Sequence, residues 1–172
     1  MVARGEDITV EREYFRLTGR PTLLHGVVFE RTPLRDGQAL VSGDRVEVVV
    51  TIEAKNDYRY LLFEDLKPAG LETIDRQSSQ GPYIERIRRP GASDSIDLIA
   101  PSAERRPVYR ELRDRKIAFL VEHLPAGVWR LRYELRAEVP GRYCALPIVG
   151  QGMYLPDIRC NSAETELVIM PR

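Results

Sequence analysis

The chain has 172 residues, 43% of them hydrophobic and 30% charged, enough for one domain whose core needs no metal or disulfide staples. Lys plus Arg and Asp plus Glu each number 26, so the formal net charge is zero, which argues against nucleic acid or an anionic membrane as partner. No run is long enough for a transmembrane helix, and the N-terminal MVARGEDIT lacks the apolar centre of a signal peptide.

The first predicted strand is TVEREYFRL (9–17). RVEVVVTIEA (45–54) follows, with Val46, Val48, Val50, Ile52 and Ala54 on one face and Arg45, Glu47, Thr51 and Glu53 opposite, as in an antiparallel sheet wet on one side. YRYLLFEDL (58–66) is apolar on both faces in its middle, as a central strand would be. Residues 72–107 are polar, hold four of the twelve prolines, and read as a long excursion with at most a short helix or hairpin. VYRELRD (108–114) and KIAFLVEHL (116–124) come next. VWRLRYELRAEV (128–139) then alternates Trp129, Leu131, Tyr133, Leu135, Ala137 and Val139 with Arg and Glu. RYCALPIV (142–149) and ETELVIM (164–170) complete the set. Turn residues fall between these runs at Asn56-Asp57, Asp114-Arg115, Pro125-Ala126-Gly127 and Pro140-Gly141. Seven or eight short strands so spaced predict an all-β fold, an antiparallel β-sandwich in a single domain over 1–172. KPAGLE (67–72) and LPAGVW (124–129) echo one another, which we read as one turn chemistry used twice: Pro presets the turn and Gly supplies a positive φ.

No catalytic constellation emerges. His25 and His123 have neither a nucleophile nor an orienting acid nearby, so both read as surface or strand-end histidines. The two cysteines and two histidines lack zinc-ligand spacing, and no phosphate-cradling loop, dinucleotide fingerprint or GxSxG elbow is present, so no metal or cofactor is expected. Glu134 and Glu138, flanked by Arg130, Arg132 and Arg136, predict a cross-strand ion-pair ladder rather than an acid–base pair. Asp94-Ser95-Ile96-Asp97 reads as a polar turn, and Arg86, Arg88, Arg89, Arg105 and Arg106 as solvated loop charge. Cys144 and Cys160 read as free, part-buried thiols. Trp129 lies on the apolar face of its strand, which speaks for core and against a sugar platform. The expected role is binding or holding, and the chain reads as cytosolic or as a piece of a longer secreted protein.

YLLFEDLKPAGLE, then YRELRDRKIAFLVEHLPAGVWRLRYELRAEVPGRYCALP, then GMYLPDIRCNS and a final strand follow in an order that resembles the C-terminal, receptor-binding-like domain of bacterial alpha-2-macroglobulins. The resemblance spans about residues 40–170. It implies a β-sandwich that closes a much longer protease-trapping chain of the periplasm or cell envelope. Its partners would be other domains of that chain, above all the thioester domain, and target proteases through the whole molecule. The thioester signature, Cys-x-Glu-Gln, is absent, since Cys160 is followed by Asn-Ser-Ala, so the chain is not the reactive part and not an enzyme. By the resemblance, Met153 and Tyr154 map onto the pair inserted beside the thioester, and Pro156 stiffens the exit from that loop. Gly150 and Gly152 depart from the family pattern and predict a mobile, projecting loop with Met153 and Tyr154 unburied. The alternative is a generic adhesion-type β-sandwich of the cell envelope with no thioester partner.

Overall fold

A computed structural model describes residues 5–22, 26–74, 82–87 and 104–172. His25, Arg88, Arg89, the Asp94–Asp97 turn and most of the 72–107 excursion lie outside the described residues. What is described is all-β, with strands β1 (Ile8–Thr22), β2 (Gly26–Leu34), β3 (Ala39–Val41), β4 (Arg45–Ala54), β5 (Tyr58–Leu66), β6 (Leu71–Ile74), β7 (Tyr83–Ile87), β8 (Arg105–Pro107), β9 (Tyr109–Leu112), β10 (Lys116–Leu124), β11 (Gly127–Ala137), β12 (Gly141–Ala145), β13 (Val149–Gly152), β14 (Arg159–Asn161) and β15 (Thr165–Met170). No helix occurs among these residues.

The first sheet runs β2-β1-β4-β11-β7-β8, and β6 pairs with the β7 side of β11 farther along that strand. The second runs β14-β13-β5-β10-β9. The small third sheet, β12-β15-β3, holds the one parallel pairing described, β15 with β3. The first two sheets pack face to face. The even-numbered apolar residues of β4 and the odd-numbered ones of β11 from Trp129 to Ala137 are all buried, against Leu61, Phe63, Phe119 and Val121 of the second sheet. Val139, predicted to continue the buried row, lies beyond the end of β11 and is exposed.

Several strands depart from expectation for local reasons. β2 was not predicted because it is an edge strand with almost no inward face, so its sequence need not alternate. Its Pro33 faces Phe15 and is tolerable only where one side of the strand needs no donors. RYCALPIV is two strands, not one. β12 pairs with β15, while β13 joins β5 in the second sheet, and Pro147 cannot donate to a ladder between them. Buried Ser162 bridges the crossing: Ile148 N–H donates to its Oγ at 2.9 Å, and its own N–H donates to the Ile148 carbonyl at 3.0 Å. The excursion contributes the antiparallel pairing of β7 with β8 and most of β6. The two PAG turns differ. Gly127 has φ +142°, as predicted, whereas Gly70 is not in the positive-φ region and is glycine because a Cβ there would overlap the Tyr143 ring.

Among the described residues, an Arg and an Asp face each other between the two sheets. On β1 the buried row is Ile8, Val10, Arg12 and Tyr14, and on β5 it is Leu61, Phe63 and Asp65. Arg12 and Asp65 meet between the sheets at 2.5 Å, with their side chains 0% and 1% exposed. Arg12 Nη2 donates to the Ala145 carbonyl at 3.0 Å, and the Tyr133 hydroxyl donates to the second Asp65 oxygen. Burial pushes the Asp65 carboxyl up, opposed by Arg12 and by the Tyr133 and Arg12 hydrogen bonds. Arg12 loses water too, yet Asp65 lifts its pKa above the ordinary arginine value. We take the pair as charged, because a guanidinium does not deprotonate in proteins and both carboxylate oxygens have donors.

Candidate functional site

β13 and β14 form a hairpin at the edge of the second sheet, with Val149 opposite Asn161, Gly150 opposite Cys160 and Gln151 opposite Arg159. The tip that joins them is tied down. Gly152 N–H donates to the Ile158 carbonyl at 3.0 Å, and Ile158 N–H donates to the Leu155 carbonyl at 3.0 Å. Leu155-Pro156-Asp157-Ile158 is thus a hydrogen-bonded turn with proline second, the place where its fixed φ is already that of the turn. Arg159 Nε adds a bond to the Pro156 carbonyl at 3.0 Å. Met153 N–H reaches across to the Tyr60 carbonyl at 2.8 Å.

This tip carries the large apolar side chains outward. Met153 is 47%, Tyr154 74% and Leu155 56% exposed. The Tyr154 ring meets that of Tyr60 edge-on, with centroids 5.4 Å apart. Beside it a shallow depression of roughly 400 Å³ is lined by Tyr60, Leu61, Val108, Tyr109, Leu120 and Met153. It opens onto the outer face of the sheet, where Gln151, Leu62, Leu120 and Tyr109 stand in one row across β13, β5, β10 and β9. The arrangement offers an apolar, tyrosine-rimmed surface with one acid, Glu122, in its lining. No base or nucleophile stands with that acid in the lining, so it offers no catalytic pair.

Gly150 and Gly152, expected to make the loop mobile, have another role here. Both are buried within β13. A Cβ on Gly150 would lie 2.6 Å from Cys160 Sγ and 2.7 Å from Phe63 Cε1, and one on Gly152 would lie 2.8 Å from the Leu155 carbonyl oxygen. They are glycine so that neighbouring strands and the turn can close on them. The same contact explains Cys160, whose thiol fills the space left by the missing Cβ.

Both cysteines are free, Cys160 buried and Cys144 exposed. Burial pushes the Cys160 thiol up to about 11, and the Gly150 backbone N–H opposes it only in part. An aromatic disulfide reagent at pH 8 is therefore expected to titrate one thiol rapidly, Cys144, and Cys160 only after denaturant is added. Two rapid thiols in the native chain would show that the hairpin opens.

The other predicted sites resolve as structure. Arg106 Nη1 donates to His123 Nδ1 at 3.2 Å, and the same Arg holds Glu104 at 2.7 Å, so this histidine is tied into a charge cluster. Trp129 is fully buried, with Arg86 and Arg106 near its ring at 5.6 and 5.7 Å. The cross-strand ladder on the wet face is present at Glu134 but not at Glu138, which lies beyond β11 and pairs with Arg136 two residues before it at 2.6 Å. Glu134 and Glu47 stand opposite one another, paired with Arg45 and Arg31 respectively, while Arg132 meets Glu85 at 3.1 Å. Among the described residues no group of three or more His, Cys, Asp or Glu could hold a metal ion. Tyr60, Tyr109 and the Arg12–Asp65 pair were not singled out in the sequence. Only the last left a signal there, a charge in phase with each buried row.

Comparison with known proteins gives a consistent picture. Residues 8–157 match the family described as the bacterial alpha-2-macroglobulin MG10 domain. The alpha-2-macroglobulins of two Xylella fastidiosa strains, 9a5c and Temecula1, are each 27% identical over 161 residues, 92% of this chain but 9% of their own length. The chain thus spans about a tenth of the curated relatives it matches. Among solved structures, Salmonella alpha-2-macroglobulin reacted with methylamine matches with a TM-score of 0.67 at 22% identity, over 99% of this chain and 10% of that one. A native Escherichia coli alpha-2-macroglobulin fragment running from domain MG7 to the C-terminus matches with a TM-score of 0.67 at 23% identity, over 99% of this chain and 24% of that one.

Proposed function

The chain belongs to the bacterial alpha-2-macroglobulin MG10 domain family, and from that premise we propose that its β13–β14 tip shields an internal thioester in the parent inhibitor until a protease cuts the bait region. In this reading the chain is one domain of a protease-trapping protein of the periplasm or cell envelope. It packs against the thioester domain and takes part in trapping proteases only through the whole molecule.

The observation that carries the reading is the exposure of Met153 and Tyr154 on a turn built to present them. A thioester survives in water only while its carbonyl carbon is kept from nucleophiles. The shield must be apolar, large and able to leave. Methionine fills irregular gaps, and tyrosine adds a broad face with a hydroxyl for the rim. The Salmonella relative is described as reacted with methylamine, a small amine of the kind that opens such a bond. Neither side chain is used by this domain's own core, so replacing both leaves the fold intact.

Met153→Ala/Tyr154→Ala in a full-length parent that carries Cys-x-Glu-Gln is expected to raise the rate of thiol release by methylamine by about 10–100-fold, the loss of roughly 1.4–2.8 kcal/mol of shielding. An unchanged rate would sink the shielding role.

A further inference from the structure

We propose that Tyr60 is the positioning residue of the tip, holding Met153 through its backbone and Tyr154 through its ring. Its consequence for the thioester rests on the shielding reading above; its role in ordering the tip does not.

Tyr60 has φ +56°, the one positive value found at a non-glycine residue among those described. A bulky side chain in this left-handed region is a backbone outlier, and such strain persists only where the surroundings hold it. Its site is local and specific. The β5–β10 register runs to Leu61 opposite Val121 and resumes at Arg59 opposite His123, passing over Tyr60. The carbonyl accepts the Met153 N–H at 2.8 Å instead. Glycine or asparagine would take this conformation with less strain. Tyrosine brings what neither could: a ring set perpendicular to that of Tyr154, with centroids 5.4 Å apart, on the wall of the depression shared with Met153. Tyr154 is 74% exposed, so a neighbouring ring on the same surface limits where it can turn. A side chain already placed loses less rotamer freedom when it docks, which is the physical benefit of bracing it in advance.

The test separates stability from tip order, which a merely structural residue would move together. Tyr60→Gly and Tyr60→Asn both accept the backbone conformation, so the urea midpoint of the 172-residue chain is expected to stay or to rise. In both variants the Tyr154 ring-proton shifts should move to free-tyrosine positions, while the Met153 amide, whose acceptor is the backbone carbonyl of residue 60, should keep its protection relative to the Phe63 amide. Tyr60→Phe should restore the Tyr154 shifts. Unmoved Tyr154 shifts in the glycine and asparagine variants would overturn the proposal, as would a loosened tip that merely tracks a lowered midpoint. In a thioester-bearing parent, Tyr60→Gly is expected to speed methylamine-driven thiol release in the same direction as the tip variants. A loosened tip with an unchanged release rate would uphold Tyr60 as the positioning residue while refuting the shield.

Discussion

Asp65→Ala is expected to destabilise the chain by about 3–5 kcal/mol in urea unfolding, the typical consequence of stripping one partner from a buried ion pair. Asp65 is the only acid paired with the fully buried Arg12 side chain among the described residues. The loss also leaves the Tyr133 hydroxyl without its acceptor. Against a total stability of about 5–15 kcal/mol for a domain, an effect of that size is a large fraction of the margin. The pair is not itself a large source of stability, since desolvation opposes it. Arg12→Met/Asp65→Leu with Tyr133→Phe is therefore expected to recover most of the loss. An Asp65→Ala variant within about 1 kcal/mol of wild type would show that Arg12 swings out to water, in conflict with its burial.

Gly150→Ala is expected to cost about 1–3 kcal/mol, the usual penalty for one group too many in a filled site. The added methyl would meet Cys160 Sγ at 2.6 Å and the Phe63 ring at 2.7 Å. Phe63 is 2% exposed and cannot retreat. Cys160→Ala removes one of the two collisions, so the double variant should be more stable than the sum of the singles allows, a positive coupling between cross-strand neighbours. Strict additivity would mean that the thiol and the glycine do not share the space. Whatever the magnitude, the consequence falls on the hairpin that carries the tip, so Gly150→Ala links core packing to presentation of Met153 and Tyr154.

The parts of the fold that the sequence made legible are those where one face is buried. β4, β5 and β10 were predicted with the bounds they have, because apolar residues recur every second position or fill a central strand. β13 was missed because two of its four residues are glycine, which display no alternation, and β2 because an edge strand has little to bury. The tip itself was legible as a place: large apolar residues stand out of phase, followed by a Pro-Asp turn signal. How it is held was not. The positive φ of Tyr60 is imposed by tertiary contacts, and nothing in YRYLLFEDL marks one tyrosine from the next. Arg12 and Asp65 each sat in phase with a buried row, but their separation of 53 positions hid the partnership.

Contact between the tip and the thioester is the central claim, and a photoreactive benzophenone side chain at position 154 of a full-length, Cys-x-Glu-Gln-bearing parent reads it directly. Before protease treatment, illumination is expected to join residue 154 to the peptides around that motif, and cleavage of the bait region should abolish the cross-link. A cross-link confined to other domains, or one that persists unchanged after cleavage, would contradict a shield that leaves.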